Sequence, residues 1–208
     1  MGIYDFYRTK IFPRILDWSL DNENVESHRR LVLKNVSGAT LEIGFGSGLN
    51  LPHYPPHIKK LTIVEPNAGM NALALRRINK SPIEVTSHHL SGENLPEPDD
   101  SFDSVVSTWT LCSIDDVDTA VKEILRVLKP GGGFYFLEHG LAENERTGKW
   151  QTRLTPLNMV IADGCRLDRD IWRIVENAGL ELTERERVVF KNAPGILGRL
   201  YLGKAVKK

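Results

Sequence analysis

The sequence has few cysteines and no excess of charge of either sign. Only two of its 208 residues are cysteines, Cys112 and Cys165, which is typical of a protein from a reducing compartment rather than of a disulfide-stabilised scaffold. Lysine plus arginine and aspartate plus glutamate number 27 each, so no net positive charge favours the phosphate backbone of a nucleic acid. We therefore expect no nucleic-acid partner.

Long apolar runs are also missing. No stretch reaches the roughly 18 apolar residues that a transmembrane helix needs, and residues 1–20 have neither a continuous apolar core nor a cleavage-like site. The expectation is a cytoplasmic protein, whose oligomeric state the sequence does not indicate. The remaining composition, 41% hydrophobic and 26% charged residues, is sufficient for one globular domain over residues 1–208.

Short apolar runs alternate with segments of helical periodicity. Near-continuous apolar strands are typical of a parallel sheet with helices on both faces. The alternation therefore predicts an α/β fold with a doubly wound, Rossmann-like sheet. The predicted strands are 40–43, 60–65, 83–87, 104–108 and 133–138, with helices at 68–79 and 117–128.

Further elements flank this alternating region. Before the first strand, residues 2–20 and 22–35 have helical character, and Pro13 predicts a kink or a break after Phe12. We assign 1–36 to an N-terminal helical lid and 37–208 to the Rossmann-like core. After the fifth strand, the pattern predicts helices at 149–162 and 168–178 and a closing pair of strands at 180–190 and 198–207.

A glycine-rich loop, "LEIGFGSGLN", follows the first strand at residues 41–50. In α/β folds such a loop binds a nucleotide through its backbone N–H groups and the helix that follows, although an ordinary tight turn is the alternative. Glu65 ends the next strand, 17 positions after Gly48 (65 − 48), close to the roughly 20 expected for a carboxylate that binds ribose hydroxyls. Glu42 lies inside the first strand, where an unsatisfied carboxylate would be costly, so we interpret it as functional.

Four motifs in this order, "LEIGFGSGLN", "VEPN", "GENLP" and "LKPGG", resemble those of class I S-adenosylmethionine-dependent methyltransferases. The resemblance implies a seven-stranded sheet with a reversed last hairpin. It also implies S-adenosyl-L-methionine as the cofactor and S-adenosyl-L-homocysteine as the product.

The same resemblance implies roles for individual residues. The first motif would hold the methionine moiety and the sulfonium, Glu65 would accept both ribose hydroxyls, and the "GENLP" loop would close the adenine pocket. The complete set assigned to the cofactor is Glu42, Gly44, Phe45, Gly46, Ser47, Gly48, Asn50, Leu51, Glu65, Pro66, Asn67, Gly92, Glu93, Asn94, Leu95, Thr108 and Trp109.

Five further segments, "YPP", "LCS", "RVLKPGGGFYFLEH", "DGC" and "GKAVK", resemble methyltransferase-like proteins that methylate alkyl thiols. This similarity runs from about Leu41 to the C-terminus. The membrane-associated members begin with an apolar anchor, where this chain has an amphipathic helix, so membrane residence is not carried over. The resemblance favours a small, partly apolar acceptor, with a thiol first.

Acceptor-side residues should follow the fourth and fifth strands, at 108–112 and 139. His139 is the candidate base, because histidine can take a proton near neutral pH; a structural histidine bound to a loop carbonyl is the alternative. Asp163 is a second catalytic candidate that would position the acceptor, although a loop or helix-capping role near Asp168 is favoured. Cys165 is interpreted as a small buried residue, and Trp109 as a cavity-lining or core residue.

No metal site is expected. The adjacent histidines His88 and His89 follow a strand, but no cysteine or carboxylate accompanies them at ligand spacing.

The first helix leaves several interpretations open. Its apolar positions recur at helical spacing, with basic residues between them, as in a core face, a lid over the acceptor pocket or an interfacial helix at a membrane. The lid favours a small acceptor, and peripheral membrane contact favours the amine of a phospholipid ethanolamine headgroup. A non-catalytic cofactor-binding protein and a dehydrogenase are further alternatives. The apolar positions are Ile3, Phe6, Tyr7, Ile11, Ile15 and Trp18.

Overall fold

The computed structural model describes residues 2–190 and 193–208. In these ranges the chain forms a seven-stranded sheet of order β3-β2-β1-β4-β5-β7-β6. Strands β1 to β5 are parallel, and β7 runs antiparallel to both β5 and β6, which confirms the α/β sheet with a reversed last hairpin. The strands are β1 Thr40–Ile43, β2 Lys60–Val64, β3 Glu84–His88, β4 Phe102–Thr108, β5 Leu128–His139, β6 Glu181–Val189 and β7 Arg199–Val206.

Most of the helices follow a residue whose side chain caps them. Asn22, Asn67, Asp116, Asn144 and Asp170 each accept a hydrogen bond from a backbone N–H of the first helical turn, which satisfies donors that have no partner inside the helix. The helices are α1 Ile3–Phe6, α2 Phe12–Leu20, α3 Glu23–Leu33, α4 Ala68–Ile78, α5 Val117–Val127, α6 Glu145–Ile161 and α7 Ile171–Asn177, with a 3-10 turn at Leu51–His53.

The sequence predicts a kink or a break after Phe12, but the irregular part of the N-terminal segment lies before that residue. A π-helical turn, Tyr7–Ile11, joins α1 to α2, and Pro13 lies in the first turn of α2. Proline has no N–H to donate to the preceding turn, and such a gap in the hydrogen-bond ladder is accommodated by a wider turn or a kink.

The fifth strand is longer than the sequence pattern predicts. Helix α5 ends at Val127, and β5 begins at Leu128 rather than at 133. Leu128 pairs with Phe102, and the register between β4 and β5 shifts before Gly133 pairs with Ser104. Residues 129–132, which lie between the predicted helix and the predicted strand, are therefore part of β5. Proline and glycine also occur in a strand where its ladder is interrupted.

The core consists of two apolar layers, one on each face of the sheet. Val121 and Ile124 of α5 and Val175 of α7 pack with Leu41 and Phe134 on one face. On the other face, α3 and α4 pack against the sheet through Val32, Leu33 and Ala74, which contact Ile63 and Val106. Helices on both faces confirm the doubly wound arrangement.

Within the described residues, no helix has both the length and the apolar character required to cross a bilayer.

Candidate active site

A cavity of about 580 Å³ lies at the carboxyl edge of the parallel strands. Its floor comes from the segments that follow β1, β2, β3 and β4, which is where doubly wound sheets bind ligands. The N-terminal helices cover it. The lining consists of residues 44–47, 65–68, 91–93, 108–110, 113–115 and 162–163 with Asp5, Arg8, Thr9, Phe12, Leu16, Asp17, Leu20, Arg29, Ile43, Leu49, Val64 and Met70.

Two glycines of the loop after β1 serve different purposes. Gly44 has a φ of 69°, and a Cβ there would lie 1.9 Å from Thr110 Oγ1, so a side chain is excluded by protein packing. Gly46 has a φ of 58°, and a Cβ there would find Gly44 O at 3.9 Å as its nearest neighbour among the described residues. Gly46 therefore leaves its backbone open to the cavity, where a ligand can approach it closely.

Glu65 follows β2 and lies in the cavity wall. Its two carboxylate oxygens accept hydrogen bonds from Gly46 N and Asn67 N, each at 2.8 Å. Burial raises the pKa of this carboxyl, and the two backbone hydrogen bonds oppose that effect. Each oxygen keeps a lone pair, so the carboxylate can still accept a ribose hydroxyl while it holds the glycine loop in place.

Glu42 belongs to a buried network behind the glycine loop. Its carboxylate accepts hydrogen bonds from Asn50 Nδ2 and the Tyr54 hydroxyl, each at 2.7 Å. Asn50 Nδ2 also reaches Thr108 Oγ1 at 3.0 Å. Burial raises the pKa of Glu42 to about 7. The network joins the end of β1, the turn after the loop and the end of β4, and so fixes the loop from behind.

Arg29 of α3 is a functional candidate that the sequence patterns missed. Its guanidinium is buried in the cavity lining, 4.7 Å from the Trp109 ring centroid, and its Nη1 donates to Asn50 Oδ1 at 2.7 Å. The Nε has no hydrogen-bond partner among the described residues. Burial lowers the pKa of Arg29 to about 10, so it stays protonated at neutral pH. Its signal in the sequence is its place on the face of α3 that buries Val25 and Val32.

The N-terminal helices are tied to the glycine loop by polar contacts. Asp17 of α2 accepts a hydrogen bond from Ser47 Oγ at 2.5 Å and forms an ion pair with Arg77 of α4 at 2.9 Å. Arg77 Nη1 also donates to Ser47 O at 3.0 Å. A segment distant in sequence thus contacts the loop that is predicted to hold the cofactor.

Asp163 lies in the cavity lining, with φ of 46°. One carboxylate oxygen pairs with Arg8 Nε, and the other accepts from Asn67 Nδ2 at 3.1 Å. The alternative of a helix cap is wrong, because Asp170 caps α7. A role in positioning the acceptor stays a prediction.

His139 ends β5, and its Nδ1 faces the sulfur atoms of Cys112 and Cys165. Both cysteines are buried, as expected for Cys165. Among the described residues, those that line the cavity do not include His139, and its role as a base stays a prediction.

The residues predicted to bind the cofactor fall into two groups. One group does not line the cavity: Glu42, Gly48, Asn50, Leu51, Asn94 and Leu95. Of these, Asn94 and Leu95 come directly after the lining residue Glu93 in the chain, and Leu95 packs in the core. The members that line the cavity are Gly44, Phe45, Gly46, Ser47, Glu65, Pro66, Asn67, Gly92, Glu93, Thr108 and Trp109.

These features fit S-adenosylmethionine. The cavity has a volume of about 580 Å³, and Gly46 leaves room for a ligand to approach the backbone. Glu65 offers acceptor oxygens for hydroxyl groups, and Arg29 Nε is a buried donor without a partner among the described residues. Together with the sheet order, the site defines the chain as an S-adenosylmethionine-dependent methyltransferase of class I.

Comparisons with known proteins also identify the chain as a methyltransferase. Residues 41–136 match the family model Methyltransf_11, a methyltransferase domain. The chain is 31% identical to the thiol S-methyltransferase TMT1A of Homo sapiens, over 90% of this chain and 82% of that protein. It is 26% identical to a phosphatidylethanolamine N-methyltransferase of Cereibacter sphaeroides, over 77% of this chain and 80% of that protein.

A solved structure shows the same fold. Phosphoethanolamine N-methyltransferase 2 of Haemonchus contortus, in complex with S-adenosyl-L-methionine, aligns with a TM-score of 0.70 at 16% identity, over 100% of this chain and 60% of that chain. The chain belongs to the S-adenosylmethionine-dependent methyltransferases, in the family that includes the thiol S-methyltransferases. The dehydrogenase and non-catalytic alternatives are therefore set aside.

Proposed function

We propose that the protein transfers a methyl group from S-adenosylmethionine to the sulfur of a small, partly apolar thiol. The observation that carries this proposal is the similarity to a thiol S-methyltransferase over most of both chains. The cavity supports it, because Phe12, Leu16 and Leu20 of α2 present apolar side chains to it, as do Trp109 and Ile114 after β4. Such a lining suits an apolar acceptor.

The bound cofactor supplies a methyl group on a positively charged sulfur. The chain has to hold the acceptor in line with that group and keep water away. A thiol reacts as its thiolate, and a free thiol ionises at a pKa of about 8.5. Without an assisting base, the rate should therefore rise with pH through the ionisation of the acceptor thiol, whereas with a base it should rise through the ionisation of that base.

The test is an acceptor screen that detects release of S-adenosylhomocysteine. An apolar alkyl thiol is compared with the alcohol and the amine of the same carbon skeleton, so that only the acceptor atom differs. We expect turnover of the thiol and little of the other two. Turnover of the amine or the alcohol with none of the thiol would overturn the acceptor assignment and leave the cofactor assignment standing.

A second candidate acceptor is a phospholipid amine. It is favoured by apolar side chains that point outward from the cavity cover, among them Ile3 at 94% and Trp18 at 80% exposure. A relative of this chain is named a phosphatidylethanolamine N-methyltransferase. A headgroup at a bilayer surface could then be presented to the cavity beneath α1 and α2.

We also propose that α1, the π-helical turn and α2 act as a lid. These elements supply much of the cover of the cavity, so on this proposal their movement widens the path by which an acceptor enters. Helix α3 packs in the core through Val32 and Leu33, so on this proposal the moving part ends near Leu20 rather than at residue 36.

A further inference from the structure

Two cysteines and one histidine from distant parts of the chain meet beside the cavity. Cys112 lies in the turn after β4, His139 ends β5, and Cys165 lies in the loop after α6. The Cys112 and Cys165 sulfur atoms are 3.5 Å apart, and His139 Nδ1 lies 3.5 Å from Cys165 Sγ and 4.0 Å from Cys112 Sγ. We call these three residues the thiol–imidazole cluster.

The spacing of the three atoms matches the edges of a zinc coordination tetrahedron. With Zn–S of about 2.3 Å and Zn–N of about 2.0 Å, tetrahedral angles place two sulfurs about 3.7 Å apart and a sulfur and a nitrogen about 3.5 Å apart. The S–S distance and one S–N distance in the cluster lie within about 0.3 Å of these values, and the second S–N distance, 4.0 Å, is about 0.5 Å longer. We propose that the thiol–imidazole cluster binds a Zn²⁺ ion.

The charges of the cluster suit a divalent cation. Two buried thiolates would be costly by themselves, but with Zn²⁺ and a neutral imidazole the site carries no net charge. Binding would release the two thiol protons to solvent. Sulfur and imidazole are ligands of Zn²⁺ rather than of Mg²⁺ or Ca²⁺.

The backbone around Cys112 is held from two sides. Glu138 accepts a hydrogen bond from Cys112 N at 3.3 Å, and the buried guanidinium of Arg169 donates to Leu111 O. On the Cys165 side, Asn158 Nδ2 donates to Cys165 O at 2.7 Å. Neighbours of this kind orient metal ligands in advance of binding.

No disulfide bond joins the two cysteines. Both thiols are free and their sulfur atoms are 3.5 Å apart, whereas a disulfide bond is about 2.05 Å long. A disulfide bond would also not account for the position of His139 Nδ1, which faces both sulfur atoms. On this proposal His139 holds the metal instead of acting as a base, and the fourth coordination position is left to water.

The ligand pattern explains why sequence spacing gave no metal signal. His139 lies 27 positions after Cys112 and 26 before Cys165, so no short motif contains two ligands. The cluster lies directly behind the cavity wall, since Ser113 and Ala162 line the cavity and both contact it.

The test begins with the wild-type protein and Co²⁺ as a spectroscopic probe. Because Cys112 and Cys165 are the only cysteines of the chain, any thiolate-to-cobalt charge-transfer absorption reports this cluster. We expect one equivalent of Co²⁺ to produce that absorption and Zn²⁺ to displace it. Zn²⁺ should also protect both thiols from alkylation and raise Tm.

Variants then assign the ligands. Cys112→Ser, Cys165→Ser and His139→Ala should each weaken Co²⁺ binding by at least about 100-fold, more than the loss of an outer neighbour costs. His89→Ala is the matched control, a histidine outside the cluster, and should bind as the wild type does. Wild-type protein with no charge-transfer absorption and no protection of its thiols would overturn the proposal. So would undiminished binding by the single-cysteine variants, or a wild-type thiol pair that oxidises to a disulfide and takes up no metal.

Discussion

A single methyl group added at Gly46 should abolish cofactor binding while the protein still folds. An alanine Cβ there would extend into the cavity without striking protein among the described residues, at φ of 58°. We expect Gly46→Ala to lower the unfolding free energy by about 1–2 kcal/mol, the cost of a left-handed conformation, and to lose detectable binding of S-adenosylhomocysteine in calorimetry.

Gly131 supplies the matched control. It has φ of 79°, and a Cβ there meets nothing within 4 Å among the described residues, far from the glycine loop in sequence. Gly131→Ala should carry a similar conformational cost and bind S-adenosylhomocysteine normally. If both variants bind equally well, the glycine loop does not hold the cofactor.

Glu42 should make stability depend on pH. Its pKa is raised from 4.5 to about 7 by burial, so between these values the folded state keeps a proton that the unfolded state has lost. The contribution of Glu42 to the free energy of unfolding is fully present below about pH 4.5. It is lost as pH rises toward 7, which lowers that free energy by up to about 3 kcal/mol. Glu42→Gln cannot ionise and should flatten this decline in urea unfolding curves.

The exposed Glu84 of β3 provides the control, because Glu84→Gln should leave the pH profile of the unfolding free energy as in the wild type. A Glu42→Gln profile parallel to that of the wild type would show that the buried carboxyl does not titrate in this range. Burial also raises the pKa of Glu65 and Glu138, so some decline should remain.

Some residues of the site could be predicted from a short stretch of sequence, and others could not. Gly44, Gly46 and Glu65 could be predicted because a short motif and a strand end place them together. Arg29 and Asp17 reach the same cavity only through the packing of the N-terminal helices. Helical periodicity places Arg29 on the buried face of α3, but it does not indicate which part of the chain that face contacts.

At the scale of elements, periodicity was sufficient for most of the sheet and its covering helices. It failed at residues 129–132, because turn residues inside a strand produce the same pattern as a loop. Leu128 pairs with Phe102 of β4, and this pairing makes the segment a strand. The pairing depends on the neighbouring strand rather than on local conformational preference.

The proposed lid lies against α4 through a close approach between Gly69 and the π-helical turn. A Cβ on Gly69 would lie 2.1 Å from Thr9 O, so Gly69→Ala must push α1 and α2 away from α4. We expect faster proteolysis of the N-terminal segment and S-adenosylhomocysteine affinity lower by about tenfold, which is about 1.4 kcal/mol, with Tm little changed.

Gly195→Ala is the control for this displacement, since its Cβ would have no neighbour within 4 Å among the described residues. Equal proteolysis rates for the two variants would mean that the cover does not depend on this contact. A protected N-terminus with weakened cofactor binding would instead place the effect in α4.

The whole molecule presents an apolar surface beside the cavity cover, which we call the outer surface. Its two parts meet where the Tyr7 hydroxyl donates to Ile161 O at 2.5 Å. Basic residues, Lys10 and Arg14 on one part and Arg153 on the other, accompany the apolar ones. The exposed apolar side chains are Ile3, Tyr4, Phe6, Ile11, Ile15 and Trp18 before β1 and Trp150, Leu157, Val160 and Ile161 on α6.

We expect the outer surface to bind vesicles that contain anionic lipid, because apolar side chains enter the interface while the basic residues meet its negative charge. Co-sedimentation should fall as salt rises, since the charge attraction is screened. Trp18→Asp should reduce it by at least about tenfold, the combined effect of a lost aromatic anchor and an added negative charge. Leu31→Asp, on an exposed position of α3 outside this surface, should sediment as the wild type does.

The same vesicles separate the two candidate acceptors. If the acceptor is a lipid amine, anionic vesicles that carry ethanolamine headgroups should be methylated, and Trp18→Asp should lower that rate in step with binding. If the acceptor is a thiol in solution, Trp18→Asp should leave its turnover unchanged, because the residue is 80% exposed and lies outside the cavity lining. Wild-type protein that stays in the supernatant at low salt would remove the membrane interpretation and leave the thiol proposal to stand on the acceptor screen alone.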